Sequence, residues 1–251
     1  MTPEYAAQLF LTPARKIPRT DTPPFDDALV TYPPLHGTRV ALWEAGNGPR
    51  VLLVHGWEGA SGDLSAFAAA LIDAGYRVVA PDLPAHGQSD GTQTSIVACA
   101  RAITQLLADI GPVRAIVAHS VGCAIAIEAL KRGARADAAV LIAPPARYRD
   151  YALSFAAQAG LSGENIGKMI AHLLTLDVDV ASIDAPRAVA ALDTPALIVH
   201  SEDDRVVPAS LGREIAAAWP GARFLSVNGL GHRRILQSDD VIRSAVEFVN
   251  G

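Results

Sequence analysis

Residues 113–123 read VRAIVAHSVGC and carry the most specific pattern in the chain. An apolar run typical of a buried strand leads directly into Ser120, and a helical pattern follows at once. A side chain presented on such a sharp strand-to-helix turn needs a strained backbone, so bulky neighbours would clash. Ala118 and Gly122 are small enough to meet that requirement. Taken alone, the same string also fits a serine that only caps a helix.

Two further polar turns follow predicted strands downstream of Ser120. Residues 200–208 (HSEDDRVVP) come after an apolar run, and a second turn that ends at His232 follows residues 223–227. A serine hydroxyl is a poor nucleophile unless a base takes its proton, and an acid must orient that base. The carboxyl ends of parallel strands lie at one sheet edge, where ligands bind. The sequence therefore predicts that a serine, an aspartate and a histidine converge there.

Short apolar runs alternate with helical patterns along most of the chain, and several runs are apolar on both faces, as in strands buried between two helix layers. The predicted strands are residues 40–43, 51–54, 76–80, 113–118, 138–143, 196–200 and 223–227. The predicted helices are residues 63–74, 95–109, 121–132, 210–219 and 239–249. This alternation predicts an α/β fold, with a mostly parallel central sheet flanked by helices and right-handed crossovers.

Two regions depart from the alternation. Residues 1–38 are rich in proline, and we interpret them as an N-terminal arm over the core with at most one short helix or edge strand. Residues 147–191 contain helical stretches but no convincing strand, which indicates a helical cap inserted near the carboxyl ends of the strands. The core then comprises residues 39–146 and 192–251.

Composition excludes several classes of protein. The chain has 251 residues, of which 50% are hydrophobic, so it can bury the core of one large domain. A net charge of -5 without a basic cluster argues against a nucleic-acid partner. No apolar run approaches the roughly 20 residues that span a bilayer. Two cysteines and the lack of a secretory signal predict a cytoplasmic protein. We expect neither a metal nor a cofactor, and the sequence does not indicate an oligomeric state.

Separated motifs resemble those of the α/β-hydrolase superfamily, in its esterase- and lipase-like group with a short helical cap. The motifs are residues 55–59 (HGWEG), 82–89 (DLPAHGQS), 118–122 (AHSVG) and 204–208 (DRVVP), with Gly231-His232. They resemble the H-G-x-x-G loop, the D-x-x-x-H-G-x-S loop, the G-x-S-x-G elbow, and the acid and base turns. Ala118 replaces the first glycine of the elbow. The resemblance covers roughly residues 39–251.

The resemblance implies a catalytic triad in which Ser120 is the nucleophile, His232 the base and Asp204 the acid. Asp204 is preferred to Asp203 because the family's acid precedes one residue, an apolar pair and a proline. Asp203 is interpreted as a turn residue that bonds to its own backbone.

The resemblance also implies an oxyanion hole formed by the backbone N–H groups of Trp57 and Val121. The indole of Trp57 could line the pocket, pack in the core, or do both. His55 and His86 are expected to brace their loops by hydrogen bonds. The side chain of His119 is expected to point away from Ser120, and His200 is interpreted as an ordinary polar residue.

Serine at the elbow separates this chain from the dehalogenases and epoxide hydrolases of the superfamily, which have aspartate there. We expect the chain to hydrolyse a small or medium carboxylic ester through an acyl-enzyme. Thioesterase, lactonase, acyltransferase and C–C hydrolase reactions are alternatives, and a ligand-binding protein without turnover is a third hypothesis. A pure receptor would not need Asp204. Apolar cap residues could line the acyl pocket or dock the cap on the core: Tyr148, Tyr151, Phe155, Met169 and Leu173.

Overall fold

The computed structural model describes residues 1–14 and 22–251, so residues 15–21 of the predicted arm lie outside the described residues. The strands are β1 Leu29–Thr31, β2 Pro34–Leu35, β3 Thr38–Arg39, β4 Leu42–Ala45, β5 Arg50–Val54, β6 Arg77–Pro81, β7 Val113–His119, β8 Ala136–Ile142, β9 Ala196–Ser201 and β10 Arg223–Val227. The α-helices are α1 Pro3–Phe10, α2 Ser65–Asp73, α3 Ile96–Ile110, α4 Val121–Lys131, α5 Tyr148–Gln158, α6 Gly163–Thr175, α7 Ala185–Val189, α8 Ala209–Ala218, α9 Gly231–Arg234 and α10 Asp239–Asn250.

Within the described residues, eight strands form one sheet in the order β1-β4-β6-β5-β7-β8-β9-β10. Six neighbouring strands are parallel: β6, β5, β7, β8, β9 and β10. At one edge, β4 runs antiparallel to β6, and β1 runs antiparallel to β4. The fold is therefore the predicted α/β architecture with a mostly parallel central sheet. β2 and β3 pair separately as a small hairpin.

The sheet is buried on both faces, which explains why its strands are nearly continuous apolar runs. Side chains alternate along β5: Leu52 and Val54 pack on the face covered by α3, α4 and α8, while Val51 and Leu53 pack towards α2 and α10. Burying one such side chain contributes about 1.5–3 kcal/mol. Because each strand buries side chains on both faces, it stabilises the packing of both helix layers.

β4 lies two residues beyond the predicted strand 40–43. The amides of Val40 and Ala41 do not join the sheet ladder. They donate instead to the Pro33 carbonyl oxygen at 3.0 Å and to the Ser89 hydroxyl at 2.9 Å. Because these two amides form hydrogen bonds outside the sheet, the strand begins at Leu42 and not at Val40.

The N-terminal region contains both a helix and an edge strand, more regular structure than the sequence predicted. The side chain of Thr2 caps α1 by accepting the Tyr5 amide at 3.2 Å. Phe10 stacks on Tyr148 at 5.3 Å between ring centroids and contacts Phe155 at 5.3 Å. Because α1 also packs along α6, this helix is joined to the inserted helices and does not simply lie over the sheet.

The insertion between β8 and β9 consists of α5, α6 and α7. Met169 and Leu173 on α6 are fully buried, so these two side chains serve to dock the insertion. The short helix α7 packs against α4 and α8. No helix in the described parts of the chain is long and apolar enough to cross a bilayer.

Strand order brings three polar turns to one edge of the sheet. Val227 at the end of β10 pairs with Ser201 at the end of β9, so the turns that follow these two strands are neighbours. β7 lies two strands away, and its last residue, His119, pairs with Ile142 of β8. Side chains that follow β7, β9 and β10 can therefore meet above the end of β8.

Candidate active site

Ser120 occupies a strained turn between β7 and α4, with φ 52° and ψ −125°. A non-glycine residue in such a region costs about 1–3 kcal/mol and persists only where its surroundings hold it. The Ser120 amide donates to the Ile142 carbonyl oxygen at 2.9 Å, and the Cys123 amide donates to the Ser120 carbonyl oxygen at 2.9 Å. These bonds keep the hydroxyl in place at the sheet edge.

The small residues predicted around Ser120 are required by close backbone contacts. A Cβ at Gly122 would overlap the carbonyl oxygens of Val54 and His55, and a Cβ at Gly56 would lie 3.2 Å from Ser120 Cβ. Cys123 is fully buried, and burial raises the pKa of its thiol, so it is not a second nucleophile.

His232 lies directly against the serine. Its Nε2 is 3.0 Å from Ser120 Oγ, and its Nδ1 is 2.7 Å from Asp204 Oδ2. The three side chains form a continuous hydrogen-bonded chain from carboxylate to imidazole to hydroxyl. A base held in this way can accept the hydroxyl proton.

Asp204 is held by four donors. Its Oδ1 accepts the amides of Val206 and Val207 at 2.8 and 2.9 Å, and its Oδ2 faces His232 and His200. Burial alone would raise the pKa of Asp204, but the hydrogen bonds from these groups outweigh it and lower that pKa well below its usual range. The hydrogen bonds therefore favour the charged form of this carboxylate.

Asp203 has a different partner set from Asp204. Its Oδ1 accepts the Ser201 hydroxyl at 2.5 Å and the Gly231 amide at 3.0 Å. These bonds tie the turn after β9 to the turn that carries His232. Asp203 thus fastens two loops together, while Asp204 contacts the imidazole itself.

Sequence reasoning assigned no role to His200, yet its side chain is fully buried beside the carboxylate. Nε2 of His200 is 2.9 Å from the Val207 carbonyl oxygen and 3.4 Å from Asp204 Oδ2. His200 lies near the end of β9, four residues before Asp204, and this spacing is the one sequence signal that could have indicated the contact.

His119 also contacts the candidate triad in a way that sequence reasoning missed. Its Nε2 lies 2.9 Å from the carbonyl oxygen of His232. Burial, and to a smaller extent the neighbouring His232, lower the pKa of His119 to about 3, so the ring is neutral and Nε2–H donates. His119 therefore positions the backbone of His232.

Trp57 and Val121 lie beside Ser120 and line the same cavity. In the described residues, neither backbone N–H donates to another protein group. Val121 begins α4, where amides have no intrahelical partner. Both N–H groups are therefore available to an oxygen bound next to the serine.

Two cavities meet at Ser120. The first, of about 230 Å³, is mostly apolar and extends beneath the inserted helices. Its apolar lining includes Ile96, Val121, Ala124, Pro145, Ala146, Tyr148, Tyr151, Ile183, Val206 and Val207. Tyr148 and Tyr151 thus line this cavity, unlike Met169 and Leu173, which dock the helices.

The second cavity, of about 370 Å³, is more polar. It is lined by Gly56, Trp57, Gly62, Asp63, His119, Ser120, His232, Arg233, Arg234, Leu236 and Gln237. Trp57, Ser120, His232 and Arg233 line both cavities, so one elongated molecule could occupy both while its middle lies over the serine.

The motif at residues 82–89 is structural in its contacts. Asp82 accepts the Ser61 amide at 2.8 Å and the Gln88 amide at 2.9 Å. His55 Nε2 accepts the Leu83 amide at 2.9 Å, and His86 Nδ1 donates to the Pro84 carbonyl oxygen at 3.0 Å. These bonds brace the loops that flank Trp57, as predicted for both histidines. No group of metal-binding side chains occurs among residues 1–14 and 22–251.

Comparison with known proteins matches residues 51–244 to the alpha/beta hydrolase family. Protein Rv2307c of Mycobacterium tuberculosis is 28% identical over 208 residues, which are 78% of this chain and 69% of that protein. Protein Rv2715 of the same organism is 36% identical over 104 residues, which are 38% of this chain. That match spans only 28% of the length of Rv2715.

Solved structures with the same fold include an esterase from Exiguobacterium antarcticum, with a TM-score of 0.72 and 18% identity over 89% of this chain and 100% of that one. An esterase from Thermogutta terrifontis has a TM-score of 0.68 and 19% identity, over 89% and 98% of the two chains. The meta-cleavage product hydrolase CumD from Pseudomonas fluorescens has a TM-score of 0.65 and 22% identity, over 88% and 97%. These likenesses establish the fold.

Proposed function

This chain belongs to the α/β-hydrolase family, and from that membership we propose that it is a serine hydrolase that cleaves carboxylic esters through an acyl-enzyme. The observation that carries the proposal is the hydrogen-bonded chain from Asp204 through His232 to Ser120, with contacts of 2.7 and 3.0 Å. A nucleophile, a base and an orienting acid are what acyl transfer by a serine requires.

In the acylation step, Ser120 Oγ attacks the ester carbonyl carbon as His232 Nε2 takes the hydroxyl proton. The carbonyl oxygen becomes an oxyanion, and the N–H groups of Trp57 and Val121 stabilise it. Collapse of this intermediate breaks the bond to the leaving oxygen, which receives the proton from His232. The products are the acyl-enzyme and a free alcohol. Asp204 stabilises the imidazolium that forms between these events.

In the deacylation step, water replaces the alcohol beside His232. The imidazole takes one proton from water, and the resulting hydroxide oxygen attacks the acyl carbon. The second oxyanion collapses with cleavage of the bond to Ser120 Oγ, which recovers its proton from His232. One water molecule is consumed and one carboxylic acid is released, so the enzyme returns to its starting state.

The first cavity favours a small apolar acyl group. Its volume of about 230 Å³ lies below the roughly 300–1,000 Å³ of common ligand pockets. The inserted helices close one side of it through Tyr148 and Tyr151. We therefore expect short acyl chains to be preferred to long ones.

The same three residues could serve a thioesterase, a lactonase, an acyltransferase or a C–C hydrolase. The solved structures with this fold include two esterases and a meta-cleavage product hydrolase, so the fold does not choose among these reactions. A hydrolase is proposed before an acyltransferase because hydrolysis of an ester, a thioester or a lactone needs no group beyond the triad, two backbone donors and water. A ligand-binding protein would leave the ordered contacts of Asp204 without a purpose.

The test is hydrolysis of p-nitrophenyl esters from acetate to dodecanoate by the parent and by Ser120→Ala. We expect a maximum at short chains and a fall in kcat of at least about 10⁴-fold in the variant. Labelling of Ser120 by a fluorophosphonate gives a second readout that does not depend on the choice of ester. A folded parent that neither hydrolyses the series nor takes the label would refute the proposal.

A further inference from the structure

The second cavity borders Ser120 and is lined by more basic than acidic residues. Its lining includes two arginines, Arg233 and Arg234, and one acidic residue, Asp63. Asp63 Oδ2 already accepts the Ala60 amide at 3.3 Å. The cavity therefore has a net positive lining beside the nucleophile.

The two arginines differ in their partners. Arg234 Nη2 donates to the Gly229 carbonyl oxygen at 2.9 Å and lies 4.0 Å from Asp203 Oδ2. Arg233 is exposed, and within the described residues it forms no ion pair or side-chain hydrogen bond. A guanidinium that directly follows the catalytic base in sequence and lines both cavities is free to bind a ligand.

We propose that Arg233 binds an anionic group, a carboxylate or a phosphate, carried by the leaving group of the substrate. This inference rests on the proposed ester hydrolysis and names its substrate class: an ester of a small apolar acid with a negatively charged alcohol or phenol. Arginine presents a planar fork of N–H donors that matches both kinds of anion.

The leaving group is assigned to the second cavity because of the water that follows it. His232 protonates the leaving oxygen and then activates the attacking water, so the two occupy the same place in turn. The polar second cavity can admit that water. The apolar first cavity retains the acyl group, since Val121, Ala124 and Tyr148 offer it an apolar surface.

The experiment compares kcat/KM for substrates that differ in whether the leaving group or the acyl group carries negative charge. Phenyl acetate is neutral, 3-acetoxybenzoate and 3-acetoxyphenyl phosphate carry the charge on the leaving group, and phenyl hydrogen succinate carries it on the acyl group. We expect the parent to prefer the anionic leaving groups to phenyl acetate by about tenfold, with a smaller preference at high salt. The larger of the two ratios identifies the anion as carboxylate or phosphate.

The preference should vanish in Arg233→Gln and persist in Arg233→Lys, which keeps the charge. Arg132→Gln, at an exposed arginine at the end of α4, is the matched control and should keep the parent ratio. An unchanged ratio in Arg233→Gln would overturn the proposal. A parent preference for phenyl hydrogen succinate over 3-acetoxybenzoate would also overturn it.

Measurements of ligand binding distinguish the anion site at Arg233 from the proposed ester hydrolysis. In Ser120→Ala, which cannot form the acyl-enzyme, 3-acetoxybenzoate should bind about tenfold more tightly than phenyl acetate in an NMR titration. Adding Arg233→Gln should remove that difference. If the parent fails to hydrolyse esters but this difference is observed, ester hydrolysis is wrong while the anion site is supported. If the two ligands bind Ser120→Ala equally well, the anion site is wrong whatever the parent hydrolyses.

Discussion

The imidazole of His200 lies against the carboxylate of Asp204, with Nε2 3.4 Å from Oδ2 and both side chains fully buried. Nε2 is also 2.9 Å from the Val207 carbonyl oxygen, which can only accept, so Nε2 carries the ring proton. Nδ1 has no partner among the described residues. Gly212 of α8 makes room for the ring, since a Cβ there would lie 2.5 Å from Nδ1. His200 is therefore a donor that positions Asp204.

We predict that His200→Leu lowers kcat about tenfold or more with little change in KM, because the carboxylate loses one of its donors and is held less firmly. His200→Gln can still donate and should restore most of the kcat, again with little change in KM. Variants that fold normally and keep the parent's kcat would contradict this role.

The two adjacent aspartates provide a direct test of the acid. Asp204→Asn should reduce kcat by roughly 10³- to 10⁴-fold, because the amide can no longer stabilise the imidazolium or select the correct tautomer of His232. Asp203→Asn should change kcat much less, since Asp203 bonds to Ser201 and Gly231. The measurement is kcat with a short p-nitrophenyl ester. Equal losses in the two variants would show that the assignment of the acid is wrong.

The turn at Ser120 predicts a large difference between two glycine substitutions. Gly122→Ala places a Cβ against the Val54 and His55 carbonyl oxygens and should lower the free energy of unfolding by about 3 kcal/mol or more. Gly167→Ala, in open space on α6, should stabilise it by about 0.5–1 kcal/mol. Urea unfolding followed by circular dichroism measures both. Similar free energies of unfolding for the two variants would mean that the close approach of α4 to β5 is not needed.

Buried neutral histidines predict a loss of stability in mild acid. Burial lowers the pKa of His86 from 6.5 to about 4, so between these values the unfolded chain binds the proton and the folded chain does not. Stability is then fully present above about pH 6.5 and declines as the pH falls towards 4, by up to about 3 kcal/mol for His86. His119 and His55, whose pKa values burial also lowers, act in the same direction.

His86→Asn removes this titrating group and should flatten the decline in the free energy of unfolding between pH 6.5 and 4. The measurement is urea unfolding at half-unit steps of pH. His36→Asn, at an exposed histidine, is the matched control. A slope that His86→Asn leaves unchanged would show that protonation of His86 does not drive the decline.

Opposite changes in the first cavity should move acyl-chain preference in opposite directions. Ala124→Leu fills part of the cavity and should shift the optimum of the p-nitrophenyl series to shorter chains, whereas Ile183→Ala enlarges it and should favour longer ones. Activity on the acetate ester reports whether each variant is still folded and competent. If both variants keep the parent optimum, the acyl group does not occupy this cavity.

Much of the fold and the candidate site could be predicted because the signals are local. The alternation of strands and helices follows from side-chain periodicity within each element, and the sharp turn at Ser120 predicts small residues beside it. The order Ser120, Asp204, His232 could also be found in sequence. The displaced start of β4 could not, because it depends on hydrogen bonds to the distant residues Pro33 and Ser89.

The sequence was enough to predict the fold class, because side-chain periodicity is local to each element. The candidate triad, with Asp204 rather than Asp203 as the acid, was predicted from motifs that resemble those of α/β-hydrolases. The packing of the elements was needed to show that His200 and His119 contact the candidate triad and that α1 packs on the inserted helices. It also showed that Arg233, unpaired within the described residues, borders two cavities. These relationships join side chains from separate elements. The distances between these side chains depend on how the elements pack, which residue periodicity and spacing do not predict.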